Sequence, residues 1–288
     1  RRRPGGGTPV SAGFSPEWLA LREPADRTAR SADVLAACAA AFRDRPALRI
    51  VDIGAGTGAT LRSVHGLLPP AQDWTLVDHD PNGLATAREL LSRDPEARDE
   101  DGDIVLDLAG RSLRVRFRRH DLGRGLPEDL QDADLVTASA LFDLASPDWI
   151  EGLAAVLARN VLPLLSMLTF DGTIRCRPGH RLDVPMAAAF AAHQKRDKGL
   201  GIAAGPAAAR GLTRAFAAHG YRCVEGESPW HLASGNALRA EAVDGIAAAV
   251  AETALLDPPD IAEWRDFARN GAETLTIGHA DLFALPPG

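Results

Sequence analysis

The stretch V-D-I-G-A-G-T-G-A-T, Val51 to Thr60, puts one carboxylate, Asp52, inside an apolar run and follows it with Gly54, Gly56 and Gly58 at every second position. A glycine-rich turn between a strand and a helix lets the backbone come close to a ligand and aims main-chain N–H groups at it. Gly54, Gly56 and Ala59 also satisfy the dinucleotide spacing G-x-G-x-x-A, so an NAD(P)-dependent oxidoreductase is one reading of the turn. Asp52 disfavours it, because a strand buried on both faces tolerates an ionised carboxylate only beside a positive partner, which a pyrophosphate is not. Further on, Asp78 ends the strand-like T-L-V-D, where it can accept hydrogen bonds from both hydroxyls of a ribose. Together these residues suit a ligand with a ribose, no phosphate and a cationic amino-acid portion.

S-adenosyl-L-methionine has those parts. Here the chain resembles the class I, Rossmann-like S-adenosylmethionine-dependent methyltransferases, whose first motif, D/E-x-G-x-G-x-G, is matched by Asp52, Gly54, Gly56 and Gly58. The resemblance covers roughly residues 46–170 and continues more loosely beyond. It implies that Asp78 holds the ribose with His79 beside it, that Gly54, Ala55 and Gly56 line the methionine portion, and that Asp52 acts near the ammonium. In R-H-D-L it implies that Asp121 accepts from the adenine amine and that Leu122 offers its main-chain N–H. In D-A-D-L-V-T-A-S-A-L-F-D it implies Thr137, Ala138 and Ser139 beneath the sulfonium, with Leu141 and Phe142 next to the methyl group. Two of these residues have competing structural roles: Asp121 as a turn cap, and His79, with Asp80, as a cap of the helix opening at D-P-N-G.

Methyl transfer is an in-line displacement, so the protein aligns the acceptor and, where needed, removes its proton. His193, His180 and His231 are candidate bases; A-F-A-A-H-Q-K-R ends an apolar helix in a polar cluster, which favours His193, with Gln194 and Arg196 as orienting donors. Trp18 and Trp230 are candidate aromatic walls, and Arg22 and Arg30 candidate partners for the cofactor carboxylate or the substrate. Adenine-amine methylation of DNA is disfavoured because the family's D/N/S-P-P-Y/F/W motif is replaced by A-S-A-L-F-D, while D-P-P-D at Asp257 to Asp260 reads as a distant helix-breaking loop. Cytosine methylation is disfavoured by the lack of a Pro-Cys pair. Asp143 and Asp171 stand where metal-dependent O-methylation needs carboxylates, but Gly172 follows Asp171, and no metal is expected. A small-molecule acceptor remains, with a non-catalytic S-adenosylmethionine-binding partner subunit as a further alternative.

Positioning these residues requires alternating strands and helices. The pattern predicts an α/β fold with a mostly parallel sheet; the family resemblance implies that this sheet is Rossmann-like and seven-stranded, with helices on both faces and a last strand inserted antiparallel. Strands are expected at 48–53, 74–78, 104–108 with 113–119 as a hairpin, 135–138, 163–170, 222–225 and 273–278. The expected division is a flexible tail at 1–12, an N-terminal helical cap at 13–45 and the main domain at 46–288, with a substrate-side insertion at about 171–209.

The 288 residues, 45% hydrophobic, suffice for one large core. A net charge of −7 disfavours a general affinity for nucleic acid. Arg114, Arg116 and Arg118 alternate with Val115 and Phe117, as on a half-buried strand with one solvated face. Three scattered cysteines suggest neither a disulfide framework nor a zinc site, and no apolar run is long enough to span a bilayer, so no membrane partner is expected and the cytoplasm is the expected location. A homodimer is left open.

Overall fold

The computed structural model describes residues 15–108 and 110–287; the expected tail at 1–12 lies outside the described residues. Two helices come first, α1 (Pro16–Ala29) and α2 (Ala32–Phe42), capped by the side chains of Ser15 and Ser31. α1 runs through Pro24, with Thr28 Oγ1 donating to the Pro24 carbonyl (3.0 Å). Then follow β1 (Ala47–Ile53), α3 (Ala59–Val64), β2 (Ala71–Asp78), α4 (Pro81–Ser92), β3 (Ala97–Glu100), β4 (Asp103–Leu108), β5 (Arg111–Arg119), β6 (Leu135–Ser139), α5 (Pro147–Arg159) and β7 (Leu164–Arg177). The chain closes with α6 (Asp183–Gln194), α7 (Ala208–Ala218), β8 (Arg222–Glu227), β9 (Trp230–Ala233), α8 (Ala237–Ala251), α9 (Pro258–Asp266) and β10 (Thr274–Leu285).

The sheet runs β3-β4-β5-β2-β1-β6-β7-β10-β8, with β9 beside the first half of β10. β5, β2, β1, β6 and β7 are parallel, and β10 lies antiparallel between β7 and β8. This is the expected Rossmann-like α/β architecture with its inserted last strand, built on ten strands rather than seven: β3, β4 and β9 extend it. Alternation along each strand sends side chains to opposite faces. Ile50, Leu76, Leu135 and Leu165 meet α2, α3 and α4, whereas Val51, Val77, Val136 and Leu164 meet α5 and α7. The chain leaves β1 toward β2 on one side and β6 toward β7 on the other, so a crevice opens beyond the carboxyl ends of β1 and β6.

Two differences reshape the ground above that crevice. β7, expected to stop at Phe170, continues to Arg177, because the turn-like D-G-T is taken up as a bulge: Asp171, Gly172 and Thr173 stand opposite Gly278 alone. The Asp171 carboxylate folds over Gly278 and accepts from Thr173 N (2.7 Å), so it serves the bulge. D-P-P-D is not a loop; Asp257 stands at the N-cap position of α9 and the prolines fill its first turn, where a missing N–H costs nothing. The extended ends of β7 and β10, with β9, α6, α8 and α9, enclose a third apolar cluster around Met186, Val243, Trp264 and Leu275.

Asp281 ties the N-terminal helices to the sheet. It accepts from Ser31 N (2.8 Å), Leu168 N (2.7 Å) and Ser228 Oγ (2.6 Å). Gly226 makes room for this junction, since a Cβ there would lie 2.6 Å from Ser31 Cβ. Gly226→Ala is expected to cost about 1–3 kcal/mol by forcing α2 off the sheet. Urea denaturation measures it, and an unchanged midpoint would refute this account of the junction.

Candidate functional site

The turn after β1 has the geometry that only glycine adopts freely: φ is +67° at Gly54, +52° at Gly56 and +76° at Gly58. It is fastened to β2 by Ala55 N donating to the Val77 carbonyl (3.0 Å) and Gly56 N to Asp78 Oδ2 (2.8 Å). Asp78 Oδ1 accepts from Asp80 N (2.9 Å), and His79 Nδ1 stands 3.3 Å from the same oxygen with its ring largely in solvent. A carboxylate has about four acceptor positions, and these two main-chain donors leave capacity for two more.

Asp52 is wholly buried. Its Oδ1 accepts from Thr137 Oγ1 in the middle of β6 (2.7 Å), while Oδ2 has no partner among the described residues. Burial, with the charge of Asp78 nearby, pushes the carboxyl up to about 7, against the Thr137 hydrogen bond, the charge of Arg30 and the neighbouring Thr60 hydroxyl. Arg30 is itself buried, with one amino group against the Met167 sulfur and Nε lacking a partner among the described residues. Burial lowers its pKa, opposed by Asp26, Asp281 and Asp52.

A carboxyl whose folded pKa rises from 3.8 to about 7 binds its proton more tightly folded than unfolded, so its contribution to stability falls as pH climbs between those values. Asp52→Asn removes that titration. The variant is therefore expected to gain stability relative to the parent as pH rises from about 4.5 to about 7.5, measured by urea midpoints at both ends. A constant difference would mean that Asp52 is ionised throughout.

α1 lies across the glycine turn. Leu19 comes within 3.5 Å of where a Gly56 Cβ would stand, Glu23 pairs with Arg62 Nη2 (2.6 Å), and Arg62 Nη1 donates to the Thr57 carbonyl (2.5 Å). Further along α1, Arg22 pairs with Asp26 (2.8 Å) and lies over the Trp230 ring at 5.0 Å. Trp230 Nε1 donates to Asp26 Oδ1 (2.9 Å), and Trp18 meets Trp230 edge-on at 6.5 Å. Trp18, Arg22 and Trp230, far apart in sequence, are thus brought together.

Other expected positions fall elsewhere. His193 does not stand as a base facing β1 and β6: its Nε2 lies 3.2 Å from Glu252 Oε2, and Arg196 Nη1 holds the same oxygen at 2.6 Å, so both residues lock α6 to α8. Gln194, half-buried, packs beside Gly205. Phe142 is fully buried against Trp149 under α5, while Leu141 reaches the turn, 3.1 Å from the Gly54 Cβ position. Asp121 is exposed and caps a turn by accepting from Gly123 N (2.9 Å); the Leu122 carbonyl accepts from Trp149 Nε1 (3.1 Å). Ala138 is buried on β6 and Ser139 half-buried at its end. His180 stacks on Phe267 near Glu263, and His231 meets Thr276 on the exposed face of β9. Arg114, Arg116 and Arg118 pair with Glu100, Asp73 and Asp129, as a solvated strand face does. Among the described residues no group of three His, Cys, Asp or Glu side chains could hold a metal ion, and no helix is long and apolar enough to cross a membrane.

Two buried groups went unread as acid–base candidates. His279 lies within the apolar strand L-T-I-G-H-A-D-L-F, a place where a polar ring needs a reason; Asp143 had been weighed only as a metal ligand.

No family model matches the chain, and no curated protein matches it by sequence. Among solved structures it is similar to the YcgJ protein from Bacillus subtilis, with a TM-score of 0.48 and 13% identity over 88% of this chain and 99% of that one. A cyclopropane-fatty-acyl-phospholipid synthase-like protein from Lactobacillus casei gives 0.47 and 14% over 92% and 99%. A SAM-dependent methyltransferase from Geobacter sulfurreducens, in complex with S-adenosyl-L-homocysteine, gives 0.42 and 16% over 95% and 99%. Likenesses of this size concern the course of the chain alone.

Proposed function

We propose that the chain is a cytoplasmic S-adenosylmethionine-dependent methyltransferase acting on a small-molecule acceptor. The observation that carries this reading is a pair of orphaned atoms, Asp52 Oδ2 just before the glycine turn and Arg30 Nε. Each is buried and each feels the other's charge. The ammonium and carboxylate of an amino-acid portion would satisfy both at once, relieving the cost of an unpaired buried charge.

The remaining groups fit the same ligand. Asp78 keeps acceptor capacity for two ribose hydroxyls next to the turn, and the positive φ angles keep Cβ atoms out of the ligand's path. When bound, the cofactor supplies a methyl group on a cationic sulfur. Leu141 and α1, through Leu19 and Glu23–Arg62, shut water from the turn. Holding acceptor and donor in line then supplies much of the rate.

Calorimetric titration with S-adenosylhomocysteine, run beside NADH on the same sample, tests the reading. Micromolar binding of the first and none of the second is expected. The reverse would point to an oxidoreductase and overturn it; cofactor binding with no methylated product from any acceptor would indicate a non-catalytic subunit.

A further inference from the structure

A second set of orphaned atoms shares a charged neighbour with the first, since Arg22 acts on Arg30 and on both members of this set. Asp143, just past β6, and His279, on β10, are 7% and 6% exposed, and Asp143 Oδ1 and His279 Nδ1 have no partner among the described residues. They flank the same residue: the Phe170 backbone lies beside the Asp143 carboxyl, and His279 stands directly across from Phe170 in the β7–β10 ladder. Arg22 bears on both by its charge. The β7 bulge begins directly after Phe170, and bulges are common beside binding sites.

The surroundings are aromatic rings that meet one another edge-on or tilted. Trp230 lies 4.9 Å and Phe170 6.3 Å from the His279 ring, and Phe190 meets Phe170 edge-on at 5.5 Å. Burial, with Arg22 nearby, pushes the His279 imidazole down to about 3, so the ring is neutral at physiological pH. Burial pushes the Asp143 carboxyl up to about 6, against its own backbone N–H, Arg22 and the Phe170 backbone. A carboxylate that ionises just below neutrality is matched to proton removal.

We propose that Asp143 is the catalytic base for a small hydroxyaromatic acceptor, which lies among Trp230, Phe170 and His279 with His279 Nδ1 as its second polar contact. The inference rests on the methyl-transfer reading. A carbon acceptor offers no O–H or N–H to the orphaned carboxylate oxygen. A neutral amine attacks through its lone pair and sheds its proton afterwards, whereas a phenol becomes a good nucleophile only as the proton leaves. In the step, the hydroxyl proton passes to Asp143 Oδ1 and the phenol oxygen forms a bond to the methyl carbon. The carbon–sulfur bond breaks with its electron pair kept by sulfur, which ends neutral, and Asp143 returns the proton to solvent.

The test uses protein saturated with S-adenosylhomocysteine and two probes of nearly one shape, phenol and anisole, titrated by calorimetry. Phenol is expected to bind at least about tenfold more tightly, the scale of a hydrogen bond to a charged group. In Asp143→Asn that preference is expected to fall to about threefold or less, with S-adenosylhomocysteine affinity unchanged. Equal binding of both probes to the parent protein, no binding of either, or a preference that survives in the variant overturns the proposal. Failure of S-adenosylhomocysteine to bind the parent protein overturns the methyl-transfer reading instead. Should the variant not fold, crystals of the parent soaked with 4-bromophenol decide: the anomalous bromine signal is expected to place the hydroxyl against Asp143 Oδ1, and a ring elsewhere, or none, refutes it.

Discussion

Asp78→Ala is expected to weaken S-adenosylhomocysteine binding by about 2–4 kcal/mol, some thirtyfold to a thousandfold, as charged hydrogen bonds to a ribose are lost. The loss has two sources. One is the direct contact, for which the carboxylate keeps acceptor positions beyond those used by Gly56 N and Asp80 N. The other is the turn itself: without Asp78 Oδ2 the Gly56 N–H loses its acceptor, and a turn held at positive φ through Gly54, Gly56 and Gly58 must be ordered at the ligand's expense. Asp78→Asn separates the two, since its amide oxygen still accepts from Gly56 N, and a smaller loss is expected. Calorimetry measures both. An affinity unchanged in Asp78→Ala would remove the ribose from this carboxylate and leave it a purely structural clasp.

The largest effect on stability is expected at Arg239. This side chain is 1% exposed, and its guanidinium donates to four main-chain carbonyls: Ala268 (2.7 Å), Ala272 (2.8 Å), Glu273 (3.3 Å) and Leu232 (3.5 Å). Those carbonyls belong to the π-turn after α9, the lead into β10 and the end of β9, and that of Glu273 also accepts from Ser234 N (3.1 Å). Arg239→Met keeps most of the volume and removes every donor. Unfolding free energy is expected to fall by about 3–5 kcal/mol, the scale of stranding several buried polar groups. Arg239→Lys, with three donors and no planar fork, should recover only part. Urea denaturation measures both, and a loss under about 1 kcal/mol in the methionine variant would show that water reaches these carbonyls.

Residues of this kind mark the boundary of what the sequence makes legible. Strand β1, its glycine turn and the carboxylate ending β2 are readable because each is a local pattern: an apolar run, a punctuation of glycines, a polar residue at a strand's end. The antiparallel place of the last strand came with the family resemblance. β7 reads as ending at Phe170 because its continuous apolar run stops there, and only the partner strand shows that D-G-T is a bulge, with Gly172 at φ +95°. α9 was missed because prolines that open a helix look like prolines that end one. The acid–base groups suffered from the opposite fault. Histidines in polar segments read as bases from the sequence, yet His193 meets Glu252, while His279 sits in an apolar strand and takes its meaning from register with Phe170.

The long reach of β7 and β10 also bears on how the molecule comes apart. The two strands pair from Leu164 and Ala284 in the main sheet to Arg177 and Thr274 beneath α8 and α9. The helical upper layer therefore shares its backbone ladder with the sheet below instead of hanging from a linker. Melting that layer alone would strip hydrogen bonds and apolar cover from strands that also close the lower core. Such coupling merges neighbouring cooperative units into one, so amides at the two ends of β10 should exchange with solvent through the same global opening.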